Sequence, residues 1–170
     1  MSSVRRALLL LKREAGGIPL PPGQVIGLVL DAVLERAIAT SVMPARGTRR
    51  VAGLTLLLAG VGITSRAVAE RRRHTVGSFA LGHPEELVTS GPYAVSRHPM
   101  YLGWWMIHAG VALFRGSSWA LGTLSAGMFV EHLGALWEEK MLQQEFGKPY
   151  VEYMRNVPRY LGIPRHPLEP

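Results

Sequence analysis

The stretch VAGLTLLLAGVGITS, residues 51–65, contains no charged side chain and follows directly after Arg50. With Arg66 tolerated at its edge, the apolar run continues to Ala69 and approaches the roughly 20 residues that a bilayer-spanning helix needs. A helix satisfies its own backbone hydrogen bonds, which the lipid interior cannot do. The stretch therefore predicts a transmembrane helix and places the chain among all-α, polytopic membrane proteins.

Other apolar segments extend this prediction to about four transmembrane helices. Residues 100–114 and 119–137 are separated by the polar break at 115–118 and predict a C-terminal helical hairpin. Residues 24–43 are a weaker candidate because the segment contains three charged residues, Asp31, Glu35 and Arg36. This segment either spans the membrane with those side chains turned inward or lies along the membrane surface.

The length of 170 residues indicates one integrated domain with two parts. We expect residues 1–74 to hold a short interfacial helix and two membrane segments. The interfacial helix is predicted around the apolar run at 7–11, which is too short for a secretory signal. We expect residues 75–170 to hold a cofactor-binding loop, the hairpin and a cytoplasmic C-terminal segment.

The charge distribution predicts the orientation of the chain, which has a net charge of +7. With both termini cytoplasmic, most Lys and Arg residues fall on the inner side, as the positive-inside rule requires. The exceptions on the outer side are Arg46, Arg49, Arg50 and Arg115. Basic residues lie at helix ends rather than in one patch among aromatic side chains, so we expect membrane lipids and no nucleic acid as partners.

Cysteine is absent, which excludes disulfides and thiolate chemistry by this chain. The six histidines show no spacing typical of a metal site, so no metal is predicted.

The stretch SGPYAVSRHPMYLGWW, residues 90–105, places a basic pair at the start of a membrane helix. Pro99 suits the first helical position, and His98 before it is excluded from helical geometry. Arg97 adds a full charge to the positive end of the helix dipole, which makes an anion site at the membrane surface. The alternative is a simple anchor for lipid headgroups.

The second hairpin helix carries Gly127, Glu131, Gly134 and Glu138 on one face. Two carboxylates on that face would be costly against lipid, so they should face protein, ligand or a wet cavity. Glu138 is predicted to lie level with Arg97 at the cytoplasmic mouth of the hairpin. A cation and an anion at one mouth suit a zwitterion such as an amino acid head group.

Deeper in the hairpin we predict a pair between His108 and Glu131, or His108 with His132 nearby. A helix rises 1.5 Å per residue, which puts His108 and Glu131 at similar depth. The alternative is a buried hydrogen bond with no chemical role. Tyr101, Trp105 and His108 form an aromatic stripe that either packs or faces a sulfonium cation.

Two longer stretches carry a family resemblance: LVTSGPYAVSRHPMYLGWW at 87–105 and EEKMLQQEFGKPYVEYMRNVPR at 138–159. They resemble the isoprenylcysteine carboxyl methyltransferase family and are similar to its bacterial phospholipid methyltransferase relatives. The resemblance covers about residues 85–160. It implies a bacterial inner-membrane enzyme that uses S-adenosyl-L-methionine at the cytoplasmic face and acts on a lipophilic or lipid-like substrate.

The resemblance also implies which residues hold the cofactor. Leu87 and Val88 would lie along the adenosine, Glu138 would take the ammonium, and Arg97 would bind the carboxylate or hold the loop. The remaining expected contacts are Glu86, Tyr93, His98, Pro99, Met100 and Tyr101. One position departs from the prenylcysteine enzymes, which carry an arginine where this chain has Gly134; that difference argues against an isoprenylcysteine carboxylate as substrate.

The expected reaction is in-line methyl transfer to a carboxylate, amine or thiol, in which the protein mainly orients the partners. His108 or Glu131 would accept a proton from an amine or thiol and are the candidate catalytic residues. Two alternatives stay open: an NADPH-dependent membrane reductase of the sterol-reductase type, and a non-enzymatic membrane protein with a degenerate pocket.

Overall fold

The computed structural model describes residues 20–38, 46–75 and 86–163. These ranges contain five α-helices, a single-turn 3-10 helix at Gly91–Ala94, and no strand. The α-helices are α1 (Pro22–Ala37), α2 (Arg46–Arg73), α3 (Pro99–Arg115), α4 (Ala120–Phe146) and α5 (Lys148–Asn156). The all-α prediction is confirmed for this part of the chain, whereas the interfacial helix predicted around residues 7–11 lies outside it.

Apolar side chains cover the outside of the helices, and polar side chains are buried between them. More than half of the side-chain surface is exposed at Ile26, Val29, Val33, Leu121, Phe129 and Trp137. The buried set includes Gln24, Asp31, His108 and Glu131. This distribution is the reverse of that in a water-soluble bundle and fits a helical membrane protein, whose polar groups must be satisfied internally.

Among the described helices, one is long and apolar enough to cross a membrane by length and composition, at Gly47–Arg73 within α2. The 16 residues of α1 and 17 of α3 span about 24 Å and 26 Å, short of a hydrocarbon core of about 30 Å. α4 has 27 residues but carries several charges. The prediction of about four transmembrane helices is therefore met only in part.

The helix bounds follow local signals in the sequence. α3 begins at Pro99, as predicted, and ends before Gly116, whose φ of 83° is left-handed. α4 extends to Phe146, past the predicted limit at residue 137. On α1 the buried positions are Gln24, Gly27 and Asp31, so of its three charged residues only Asp31 is turned fully inward.

The tightest packing joins α2 to α3, not the two arms of the predicted hairpin. A Cβ atom at Gly110 would lie 2.7 Å from the Gly53 carbonyl oxygen, and one at Gly103 would lie 2.8 Å from that of Gly60. Without side chains at these glycines the two backbones approach closely. α4 packs mainly on α1 and touches α3 less extensively.

Candidate functional site

A cleft opens where the C-terminal end of α2 meets the 3-10 turn and the last turns of α4. Ten side chains line it: Arg71, Glu86, Leu87, Val88, Tyr93, Arg97, Glu138, Leu142, Tyr150 and Tyr153. The lining combines an apolar and aromatic surface with two guanidinium groups and two carboxylates. Such a surface suits a ligand with both an apolar body and charged ends.

The 3-10 turn is held in place from two sides. Gly91 has a φ of 58°, a left-handed conformation that favours glycine, and a Cβ there would meet the Glu70 side chain at 3.0 Å. The Ser90 hydroxyl donates a 2.6 Å hydrogen bond to Glu70 on α2. From the other side, the Tyr153 hydroxyl donates to the Tyr93 carbonyl oxygen at 2.7 Å. Tyr93 is thereby fixed as a buried wall of the cleft.

The cleft offers charged groups that the protein itself leaves incompletely engaged. Arg71 is 7% exposed and pairs with no carboxylate within the described residues. The Nε atom of Arg97 is buried and has no hydrogen-bond partner in the same part of the chain. Glu138 keeps 35% of its side chain exposed. Burial raises the pKa of Tyr93 above its ordinary value, so its hydroxyl is neutral at physiological pH.

A cluster around Glu139 forms the rim of the cleft. The carboxylate of Glu139 lies 3.1 Å from Arg97 Nη2, 3.2 Å from His98 Nε2 and 2.7 Å from Arg159 Nη2. The backbone is tied at the same place, since the Arg97 and His98 amides donate to the carbonyl oxygens of Pro158 and Arg159 at 3.0 and 3.1 Å. The rim therefore fastens the turn before α3 to α4 and to the segment after α5.

These contacts decide the ionisation of Glu139, which lies beyond the predicted membrane span. Burial alone would raise the pKa of this carboxyl group, but hydrogen bonds from His98 and Arg159 and the charge of Arg97 hold it at about 2. The same hydrogen bond to Glu139 raises the pKa of Arg159. Glu139 is thus a carboxylate with its partners already supplied, unlike its neighbour Glu138.

The predicted cofactor contacts fall into two groups. Those that line the cleft are Glu86, Leu87, Val88, Tyr93, Arg97 and Glu138. Those that stand behind it are His98, Pro99, Met100 and Tyr101. His98 is 5% exposed, lies between Glu138 and Glu139, and stacks on Tyr101 with ring centroids 5.4 Å apart. Pro99 is buried in the first turn of α3, and Met100 packs against the core around Tyr93.

The predicted pair of His108 and Glu131 makes no direct hydrogen bond, because Gln24 stands between them. Gln24 Oε1 lies 2.6 Å from His108 Nδ1, and Gln24 Nε2 donates to Glu131 Oε2 at 3.1 Å. His108 Nε2 lies 3.0 Å from Asp31, which also accepts a 2.6 Å bond from Thr123. His108 and Glu131 thus both contact the side chain of Gln24. His132, the other proposed neighbour of His108, bonds to Tyr160 at 3.1 Å instead.

Sequence reasoning missed several residues that the tertiary structure brings together. Arg71 belongs to a basic run typical of headgroup binding, although Gly60, Thr64, Ala67 and Arg71 share one helical face. That face packs against α3, so its last member points into the cleft. The burial of Gln24 could also have been inferred from the sequence, because Gln24, Gly27 and Asp31 follow helical spacing and share one face of α1. The contact between Glu139 and Arg159 carried no such signal, since Arg159 comes from a separate segment.

No group of three side chains able to hold a metal ion occurs within residues 20–38, 46–75 and 86–163.

Comparison with known proteins identifies the family. Residues 48–149 match the family described as phospholipid methyltransferase, and the chain belongs to that family. It is 32% identical over 117 residues to protein-S-isoprenylcysteine O-methyltransferase B of Arabidopsis thaliana, covering 66% of this chain and 57% of that protein. It is 39% identical over 80 residues to the protein-S-isoprenylcysteine O-methyltransferase of Tribolium castaneum, covering 46% of this chain and 27% of that protein.

The chain spans less than two thirds of the length of these relatives. The recognised resemblance is confirmed at the level of the family. No solved structure matches the chain.

Proposed function

We propose that this protein is a membrane methyltransferase that binds S-adenosyl-L-methionine in the cleft and methylates a lipophilic acceptor. The observation that carries the proposal is the placement of Arg71 and Glu138 in the same cleft, with charge available to a ligand at both. The methionine end of the cofactor carries a carboxylate and an ammonium group. One buried cation and one half-open carboxylate match these two groups.

The residues of the cleft fit the rest of the cofactor as well. Glu138 would hold the ammonium and Arg71 the carboxylate, with the free Nε of Arg97 as a second donor. Leu87, Val88 and Leu142 provide an apolar surface for the adenosine. In this proposal His98 and Tyr101 position Glu138, while Pro99 and Met100 shape the wall behind it.

The bound cofactor would supply a methyl group on a sulfonium. The thioether is a good leaving group when an aligned nucleophile displaces it from that methyl group. The work of the protein is then to hold the acceptor in line and to exclude water. The sequence predicts that Glu131 or His108 accepts a proton from an amine or thiol acceptor. Because both oxygens of Glu131 already accept hydrogen bonds, the geometry favours a positioning role, and proton acceptance stays a prediction.

The charges near Gly134 favour an acceptor other than a free carboxylate. The nearest side-chain atom to a methyl group added at Gly134 would be the neutral Tyr101 hydroxyl, at 3.7 Å. The two arginines of the rim, Arg97 and Arg159, are both engaged by Glu139. We therefore infer an amine or thiol acceptor in preference to an isoprenylcysteine carboxylate.

We also propose that the cleft opens to the cytoplasm. The C-terminal end of α2 carries Arg71, Arg72 and Arg73 next to the cleft, as expected for the inner membrane face. In this arrangement α1, α2, α3 and the part of α4 up to residue 137 lie in the membrane, with both termini cytoplasmic, and the acceptor enters sideways from the lipid.

Calorimetry with S-adenosylhomocysteine in detergent tests the proposal. Wild-type protein should bind this product analogue, and Glu138→Ala should weaken binding by about 10- to 100-fold, since a charged hydrogen bond contributes about 1.5–3 kcal/mol. Glu145→Ala is the matched control, because Glu145 is exposed on the same helix. Unaltered affinity in Glu138→Ala would refute the assignment, and binding of NADPH instead would favour a reductase.

A further inference from the structure

The buried network beneath the cleft ends on an aromatic side chain. Trp105 Nε1 donates a 2.5 Å hydrogen bond to Glu131 Oε2, the same oxygen that accepts from Gln24 Nε2. Glu131 Oε1 accepts from the backbone amide of Gln24 at 3.1 Å. Glu131 is 4% exposed and Gln24 is fully buried. The indole N–H of Trp105 is thus anchored to α1 through a carboxylate with both oxygens in use.

The ring of Trp105 belongs to a continuous aromatic surface that reaches the cleft. Its centroid lies 4.6 Å from that of Tyr160, whose hydroxyl is bonded to His132. The Tyr160 ring lies 6.1 Å from His98, and His98 stacks on Tyr101 beside Glu138. We name Tyr101, Trp105 and Tyr160 the aromatic wall. The wall runs from the rim of the cleft inward between α3 and α4.

The part of α4 nearest Tyr101 has open space beside it. A Cβ atom at Gly134 would meet only the Tyr101 hydroxyl within 4 Å, at 3.7 Å. α3 and α4 also touch less extensively than α2 and α3. Open space therefore lies at Gly134, next to the Tyr101 end of the aromatic wall and on the same face of α4 as Glu138.

We propose that the aromatic wall binds the methyl acceptor, and that Gln24 and Glu131 act as positioning residues that fix the Trp105 ring. The proposal rests on the proposed function, since it assumes that a cofactor occupies the neighbouring cleft. An aromatic surface can hold the apolar stem of an acceptor without a charged partner. The proposal gives α1 a role in acceptor binding, although α1 reaches neither the rim nor the cleft lining.

Two variants test the wall against a matched control. Trp105→Phe keeps an aromatic ring but loses the N–H, and Gln24→Ala removes the side-chain support of Glu131. Trp137→Phe is the control, because Trp137 is 66% exposed on the outside of α4. Initial rates are measured with S-adenosyl-L-methionine and two probes: nanodiscs of a phospholipid with a primary-amine headgroup, and S-farnesyl-N-acetylcysteine.

With the probe that wild type methylates faster, Trp105→Phe and Gln24→Ala should raise the acceptor KM by about 3- to 10-fold, as expected for one lost hydrogen bond. The Kd for S-adenosylhomocysteine should stay within about twofold of wild type, because the wall lies outside the cleft lining. Trp137→Phe should change neither value. A ¹⁹F spectrum of protein labelled with 5-fluorotryptophan should show the Trp105 signal displaced in Gln24→Ala and the Trp137 signal unmoved.

Three results would overturn the proposal: an unchanged acceptor KM in both variants, a Trp105 signal indifferent to Gln24→Ala, or a wild-type protein that binds S-adenosylhomocysteine yet methylates neither probe. Failure of wild type to bind S-adenosylhomocysteine would count against the proposed function itself. Calorimetry measures that binding independently of the methylation rates.

Discussion

The cleft and the buried network around Gln24 contain the same kinds of side chain. In the network these side chains have hydrogen-bond partners, whereas in the cleft they keep bonding capacity. In the interior, Glu131 has both oxygens occupied, and both ring nitrogens of His108 have partners. In the cleft, Arg71 has no carboxylate partner among the described residues and Glu138 is partly open. Buried polar groups that are satisfied hold helices together, whereas those left with bonding capacity indicate where a ligand binds. Burial alone therefore does not distinguish a structural carboxylate from a binding one.

The largest effect that would test this contrast is the loss of Asp31. Asp31→Ala removes the buried carboxylate that contacts both His108 Nε2 and the Thr123 hydroxyl in the bundle interior. Breaking a buried pair of this kind should cost about 3–5 kcal/mol of unfolding free energy, measured as a lower Tm in detergent. Glu35→Ala, four residues along α1, removes the partly exposed pair with Arg115 and should cost no more than about 1 kcal/mol. Equal losses in the two variants would contradict a structural role for the network.

A second test concerns the close packing of α2 against α3, which places Arg71 in the cleft. Gly103→Ala places a methyl group against the Thr64 hydroxyl and 2.8 Å from the Gly60 carbonyl oxygen, so the helices must separate. Overpacking of this kind should cost about 1–3 kcal/mol in thermal unfolding and should also weaken S-adenosylhomocysteine binding. Gly62→Ala on α2, where nothing lies within 4 Å of the added carbon, is the control and should unfold no earlier than wild type.

Arg71 itself gives a smaller effect that is confined to binding. Arg71→Gln should lower the affinity for S-adenosylhomocysteine by about tenfold with little change in Tm, because the guanidinium has no carboxylate partner to lose within the described residues. Arg66→Gln, exposed on the same helix, should leave the affinity unchanged. A marked fall in Tm with intact affinity would assign Arg71 to the scaffold instead of the site.

A further effect, confined to acid pH, is the stability contributed by Glu139. Its pKa is depressed to about 2 in the folded protein from an ordinary value of 4.5, so its contribution to stability is complete above about pH 4.5. That contribution is lost as the pH falls towards 2. Unfolding followed between pH 5 and pH 3 should show a shallower pH dependence in Glu139→Gln than in wild type. Glu145→Gln, exposed on the same helix, should keep the wild-type slope.

Local signals in the sequence predicted α2, the limits of α3, one side of the cleft and the family. The uncharged run at 51–65 predicted α2, Pro99 and the break at 115–118 predicted the limits of α3, and the four-residue and seven-residue spacing placed Glu131 and Glu138 on one face. These features depend on neighbours a few residues apart along one helix. Helical geometry converts such spacing directly into position.

Only the tertiary structure decided which partners those residues have. Glu139 meets Arg97 and Arg159, His108 meets Glu131 only through Gln24, and Arg71 reaches the cleft because glycines bring α2 against α3. Each of these contacts joins segments far apart in the chain, so no local pattern specifies it. Whether a buried charge is satisfied or available depends on those distant partners, and that difference separates the structural carboxylates of this protein from the one proposed to bind the cofactor.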